Sequence, residues 1–267
     1  MEATREIYWN IGHGVVLPMY LLSMAAVAAL AWGVWRRVPR YRLGKPLNRF
    51  DSYEERVKRM IADVFGQEKV VRVKDGGLFH AFFFWGFGLL FIGTMLVMIQ
   101  ADFFTPLMRV NILSGEFYKA FSLVLDGAGL LAIVMLAGLS ARRFFIRPEG
   151  LETSADDYRI HVLLFAILIT GFLIEGARMA VTELRQDPGL AMFSPVGKLV
   201  AQLFTPYAEE SIRTAHRLLW WLHFVLVLGF IATIPYTKLR HIFLTSANAF
   251  FAPLEAKGTI ATINLED

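Results

Sequence analysis

The chain carries six histidines, His13, His80, His161, His216, His223 and His241. Three of them punctuate one apolar run, HRLLWWLHFVLVLGFIATIPYTKLRH, from His216 to His241. On a helix turning about 100° per residue, His223 falls about 20° from His216, and His241 returns to about the phase of His223. Neutral imidazole is a good ligand for iron, and its charge changes near neutral pH. A titratable group inside an apolar segment is costly, so it usually faces the bundle interior and has a task there. A lone histidine at a helix end is most often solvated or hydrogen-bonded. Histidines at matching depth on two facing helices can clamp a haem iron from both sides.

The elements that must hold these rings are membrane helices. Of 267 residues, 56% are hydrophobic and 19% charged, with 23 Phe and 6 Trp; the mean hydropathy is +0.49. That is too apolar for a soluble globular domain. Five runs, roughly Ile11–Trp35, Leu78–Gln100, Phe117–Leu139, Tyr158–Ala180 and Ile212–Tyr236, each approach the ~20 residues a spanning helix needs. The first has only Arg5 before it and no small-residue cleavage site after it, so it reads as a retained helix. The expected fold is all-α, an integral membrane bundle of five transmembrane helices with short interfacial helices. Cysteine is absent, which excludes disulfides and any iron–sulfur cluster ligated by this chain's thiolates.

The connection from Arg36 to Lys74 holds twelve Lys/Arg, the third connection has Arg142, Arg143 and Arg147, and the tail has Lys238, Arg240 and Lys257. The opposite side offers Arg5, Arg109, Arg185 and Lys198. The positive-inside rule puts the N-terminus outside and the C-terminus in the cytoplasm. Within the cytoplasmic loop 36–77, SYEERVKRMIADVF places Val57, Met60, Ile61, Val64 and Phe65 on one helical face. That face reads as an interfacial helix on headgroups, with partner docking as the alternative. SPVGKLVAQLF reads as a shorter lid on the outer side.

Depth then pairs the histidines. His241 closes the fifth helix at the cytoplasmic end and His80 opens the second from the same side, so the two can clamp one haem. His223 is 18 residues above His241, about 27 Å at 1.5 Å per residue, near the outer face where a second haem would sit. His13 and His216 lie still further out, and depth alone does not choose its partner.

The pattern LHFVLVLG, a proline, a basic residue and LRHIF resembles the last transmembrane helix of the respiratory nitrate reductase gamma subunit family. GGLFHAFFFWGFGLLFIGTML resembles that family's second helix. The resemblance implies five helices and two b-type haems, with His80, His223 and His241 as axial ligands. The family's remaining second-helix ligand falls at Leu90, which cannot bind iron. His13, between Gly12 and Gly14, is the expected substitute, with His216 as a reserve ligand or a quinone or propionate contact. YWNIGHG, RLGKP, FWGFGLLFIGT, LDGAGLL, RRFFIRP, GFLIEGAR, HRLLWWLH and PYTKLRHIF together resemble a narrower group, the heterodisulfide-reductase-like iron–sulfur reductases that include electron-transfer-flavoprotein:menaquinone oxidoreductases.

That resemblance implies a dihaem b electron-transfer subunit or domain over residues 1–241, followed by a tail or connector, 242–267, toward a cytoplasmic iron–sulfur module. Menaquinone would be the substrate. The partner would be an iron–sulfur protein or fused domain, in turn fed by an electron transfer flavoprotein. A bacterial or archaeal cytoplasmic membrane is the expected location, and no nucleic acid is expected as a partner. Asp126, Glu175 and Arg178 sit where lipid would penalise them. Glu175 and Arg178 share a face and can pair. They read either as structural glue or as a quinone and proton site, with Arg178 alternatively neutralising a haem propionate. The competing functions are a cytochrome b anchor of a hydrogenase or formate dehydrogenase type of enzyme, and a haem-free membrane anchor or transporter.

Overall fold

The computed structural model describes residues 3–44 and 48–255. Eight helices organise it: α1 (Val16–Trp35), α2 (Tyr53–Met60), α3 (Lys74–Ile99), α4 (Gly115–Ser140), α5 (Ala155–Val181), α6 (Pro195–Gln202), α7 (Glu209–Thr233) and α8 (His241–Phe251). Short 3-10 and π-type turns join them, and among the described residues no strand forms beyond the lone bridge Thr4–Ser114. With their flanking turns, α1, α3, α4, α5 and α7 give five apolar helical stretches of 28 to 33 residues, long enough to cross a membrane. These are the five expected spans.

The bundle packs in neighbouring pairs, α3 on α4, α4 on α5, α5 on α7 and α7 on α1. Small residues set the closest approaches. A Cβ on Gly86 of α3 would meet the Ala128 carbonyl oxygen at 2.9 Å, so only glycine lets these backbones come so near. Ala132, Leu136, Leu164 and Leu168 form the middle of the core, with Phe83, Phe87, Leu90 and Phe230 against them. The end holding His80 and the start of α5 is called lower here, and the end holding the N-terminal segment and α6 upper.

The fifth span does not run on to His241. Pro235 lacks an amide proton and its ring blocks the preceding turn, so α7 stops at Thr233. Two 3-10 turns, Ile234–Tyr236 and Lys238–Arg240, follow before α8 starts at His241. Over that break, angular phase and 1.5 Å per residue no longer relate His241 to His223. The break is pinned to α5, where the Lys238 amide donates to Asp156 at 2.8 Å and its ammonium to Asp157 at 2.6 Å.

The first loop also departs from the simple helical wheel. Arg56, not an apolar residue, is the buried side chain of α2, only 1% exposed, while Ile61 and Phe65 are half exposed. Residues Ile61–Phe65 form a π-type turn, whose wider period turns Ile61 and Phe65 outward while Val64 stays buried. Arg56 reaches the end of α8, donating to the carbonyls of Phe250 and Ala252 at 3.2 and 2.8 Å and to Asp51 Oδ1 at 3.0 Å. This loop therefore clamps α8 as well as offering a surface. Residues 256–267, the last part of the expected connector 242–267, lie outside the described residues.

Candidate functional site

At the lower end, His80 on the first turns of α3 meets His241 at the start of α8, with ring centres 6.1 Å apart and planes inclined at 55°. Each ring is held through Nδ1, on Gln67 Oε1 at 3.3 Å for His80 and on the Lys238 carbonyl at 2.9 Å for His241. Both partners are oxygens that accept, so each Nδ1 carries the proton and each Nε2 keeps a lone pair. Metal–imidazole bonds are about 2 Å long, so one iron between two Nε2 atoms sets ring centres about 6 Å apart. The pair fits that spacing. Among the described residues no group of three or more His, Asp or Glu gathers as it would for a bare metal ion. Two imidazoles are enough for an iron whose other positions a porphyrin fills.

His223, halfway along α7, lies against α5. Its Nδ1 faces Thr170 Oγ1 at 2.9 Å, and Thr170 in turn donates to the Ala166 carbonyl at 2.6 Å. A Cβ on the neighbouring Gly171 would lie 3.5 Å from the His223 ring, so the missing side chain makes room for it. His223 is thus oriented like the lower pair, with Nε2 open. Its expected partner, His13, is not brought to it. His13 is exposed and its ring packs edge-on against Tyr8 at 5.3 Å. Leu90 sits among the core side chains. His161, at the lower end of α5, bonds its own helix through the Asp157 carbonyl at 2.7 Å.

His216 belongs to the upper end. It is 2% exposed, with Trp9 edge-on at 4.8 Å. The Asn10 amide donates to the Arg213 carbonyl at 2.7 Å and lies 3.4 Å from His216 Nδ1. With Nδ1 accepting, the neutral ring carries its proton on Nε2 and can donate from there. The N-terminal segment thereby packs onto the upper end. Arg5 reaches the same cluster, and burial together with nearby Arg178 lowers the pKa of its guanidinium.

Asp126, 3% exposed, accepts from the amides of Val196 and Gly197 at 2.9 and 2.8 Å. It caps α6 from a different helix, supplying the anion that a helix N-terminus favours. The expected Glu175–Arg178 pair gives way to another. Arg178 is ion-paired with Glu183, just past the end of α5, and Thr182 also donates to Glu183. Glu175 instead lies beside α6, where a Cβ on Gly197 would come within 3.1 Å of its carboxylate. Replacing Asp126 with leucine should leave the buried Gly197 amide and the half-buried Val196 amide without their partner, at up to ~1–3 kcal/mol each, whereas asparagine keeps one acceptor. The thermal unfolding midpoint in detergent should fall far more for Asp126→Leu than for Asp126→Asn. An unchanged midpoint for the leucine variant would remove the cap from the account.

Comparison with known proteins decides the family. The model of the nitrate reductase gamma subunit family matches residues 74–255, which include four of the five spans and both lower histidines. The chain belongs to the nitrate reductase gamma subunit family. It is also similar to the EtfAB:quinone oxidoreductase of Syntrophomonas wolfei, 34% identical over 256 residues, which is 93% of this chain and 35% of that protein. The probable iron–sulfur-binding oxidoreductase FadF of Bacillus subtilis is 23% identical over 247 residues, covering 92% of this chain and 34% of its own length. This gamma-family chain thus spans about a third of the length of the curated relatives it matches. No solved structure matches it. Family membership and five apolar spans make it a multi-pass membrane protein, an electron-transfer component of oxidoreductase type.

Four residues that position the rings and charges were not read from the sequence. Gln67, Asn10 and Glu183 lie in turns between or before spans and follow no apolar period. Thr170 beside Gly171 was the readable signal, a polar residue and a gap inside the run ILITGFL at the level of His223.

Proposed function

We propose that this chain is a b-type cytochrome that carries electrons through the membrane between a cytoplasmic iron–sulfur partner and menaquinone. The observation that carries this reading is the pair His80–His241, with ring centres 6.1 Å apart and both Nδ1 atoms engaged. These two residues would hold a haem b, which supplies one-electron transfer when bound. The twelve Lys/Arg of the first connection support placing this end in the cytoplasm, and the N-terminus outside. The names of the two relatives support an iron–sulfur or electron-transfer-flavoprotein-fed donor and a quinone acceptor.

The chain's own residues then have separable tasks. His80 and His241 bind, while Gln67 and the Lys238 carbonyl orient them. His223, with Thr170 fixing its ring, is the proposed ligand of a second haem. His13 is its proposed counterpart and would have to leave Tyr8 to serve. At the upper end Glu175 is the proposed proton carrier for the quinone, since quinone reduction takes up protons as well as electrons. His216 offers Nε2–H to a quinone oxygen. Asp126 holds α6 against its own helix, and Arg178 supplies the positive charge one turn from Glu175 as well as its ion pair with Glu183.

The test is a dithionite-reduced minus oxidised spectrum of the purified chain. A b-type alpha band that a quinol analogue also elicits is the expected result. A chain expressed with ample haem that shows no such band would leave only the haem-free anchor.

A further inference from the structure

We propose that Gln67, on the first loop, is a positioning residue that fixes the tautomer of His80 and thereby sets the redox potential of the lower site. The inference rests on the haem reading above and deepens it.

The geometry around Gln67 is unusual in three respects. Its side chain is buried, 5% exposed, though it lies in a loop rich in charge. Its backbone is left-handed, with φ 54°, while Gly66, which would adopt that conformation freely, keeps φ −71°. A non-glycine residue held there is strained unless its surroundings require it. Finally, both ends of its amide are engaged. Nε2 donates to the Val64 carbonyl, and Oε1 lies 3.3 Å from His80 Nδ1. The Val64 carbonyl can only accept, so the amide cannot turn over. Oε1 must therefore face the imidazole, Nδ1 must donate to it, and Nε2 must be bare. The turn itself is tied to α3, where Trp85 Nε1 donates to the Phe65 carbonyl at 3.0 Å.

The two ligands thus differ in what holds them. His241 leans on the Lys238 carbonyl, a backbone group no substitution removes. His80 leans on a side chain of the loop, which the same loop's Arg56 ties to the end of α8. An acceptor on Nδ1–H makes the imidazole more electron-rich and favours the oxidised iron. Loss of that acceptor favours the reduced iron.

The alternative is that Gln67 only satisfies its own turn. Redox titration of the full chain in detergent, followed by visible absorbance, separates the two. The lower haem is the component missing from His80→Ala. Gln67→Leu should raise its midpoint, changing the reduction equilibrium about tenfold, or about 59 mV for one electron. Gln67→Glu keeps an acceptor and should stay at or below the wild-type midpoint. Loss of the lower haem in the leucine variant but not in the glutamate variant supports the proposal equally. Midpoints unchanged in both, shifted upward in both, or haem lost from both would overturn it. A wild-type chain without any b-type signal would instead defeat the haem reading itself, before either variant is made.

Discussion

His80→Ala should remove about half of the b-type absorbance and leave the remainder with its own midpoint, because the proposed function makes His80 one of two ligands to one of two haems. The expectation comes from the placement of His80 and His241, whose rings stand 6.1 Å apart. It is sharpened by symmetry of outcome. His241→Ala should delete the same spectral component, since both residues serve one iron, whereas His223→Ala should delete the other. Electron entry from the lower end should fail in the first two variants, while quinol added from the upper end still reduces the remaining haem in both. Membrane insertion should be intact, because His80 is half-buried and His241 exposed, and neither belongs to the apolar core clusters. Full haem content with an unchanged spectrum in His80→Ala would refute the lower site. Loss of different components in the His80 and His241 variants would break the pairing even if each binds haem.

That pair was legible in the sequence, which put His80 and His241 at the same end of their helices. What the sequence misread was the fifth helix as one continuous rod, whose 18-residue step set the depth of His223 above His241. In the folded chain Pro235 ends α7 early, and His241 arrives through two 3-10 turns held by Asp156 and Asp157. The five spans were plain because a lipid-crossing helix must be apolar along its whole length, a signal that survives without any alignment. The loop was harder. A buried Arg56 and a buried Gln67 violate the pattern by which amphipathic faces are read, and their partners are carbonyls of residues close to them or nearly 200 positions away. Hydropathy reports burial of apolar groups; it is blind to a polar group whose burial is made tolerable by a carbonyl. The upper end shows the same limit. The i, i+3 spacing of Glu175 and Arg178 suggested a pair, but the turn after α5 carries Glu183 back toward Arg178. Local spacing on a helix says nothing about a residue beyond its end.

Arg178 supports the last expectation. Arg178→Leu should destabilise the upper end by ~3–5 kcal/mol, because it leaves Glu183 as a buried charge without its partner. Replacing both, as Arg178→Leu with Glu183→Leu, should recover most of that stability, since a buried ion pair exchanged for apolar side chains is often neutral or better. The thermal midpoint of the detergent-solubilised chain reads this directly. The double variant then frees function from folding. If the pair only holds α5 to the turn that follows it, quinone reduction by the double variant should match wild type once stability is restored. The expected result is different: turnover with a menaquinone analogue falls at least about tenfold, while haem reduction from the lower end keeps its rate. Arg178 lies on the same helix as Glu175, one turn away, and Arg5 approaches it from the N-terminal segment. Its charge therefore sets the field in which Glu175 would exchange a proton. Removing that charge raises the cost of an ionised Glu175 whether or not Glu183 is present. Normal quinone kinetics in a stable double variant would return Arg178 and Glu183 to a purely structural role. The proton task would then have to be sought at His216.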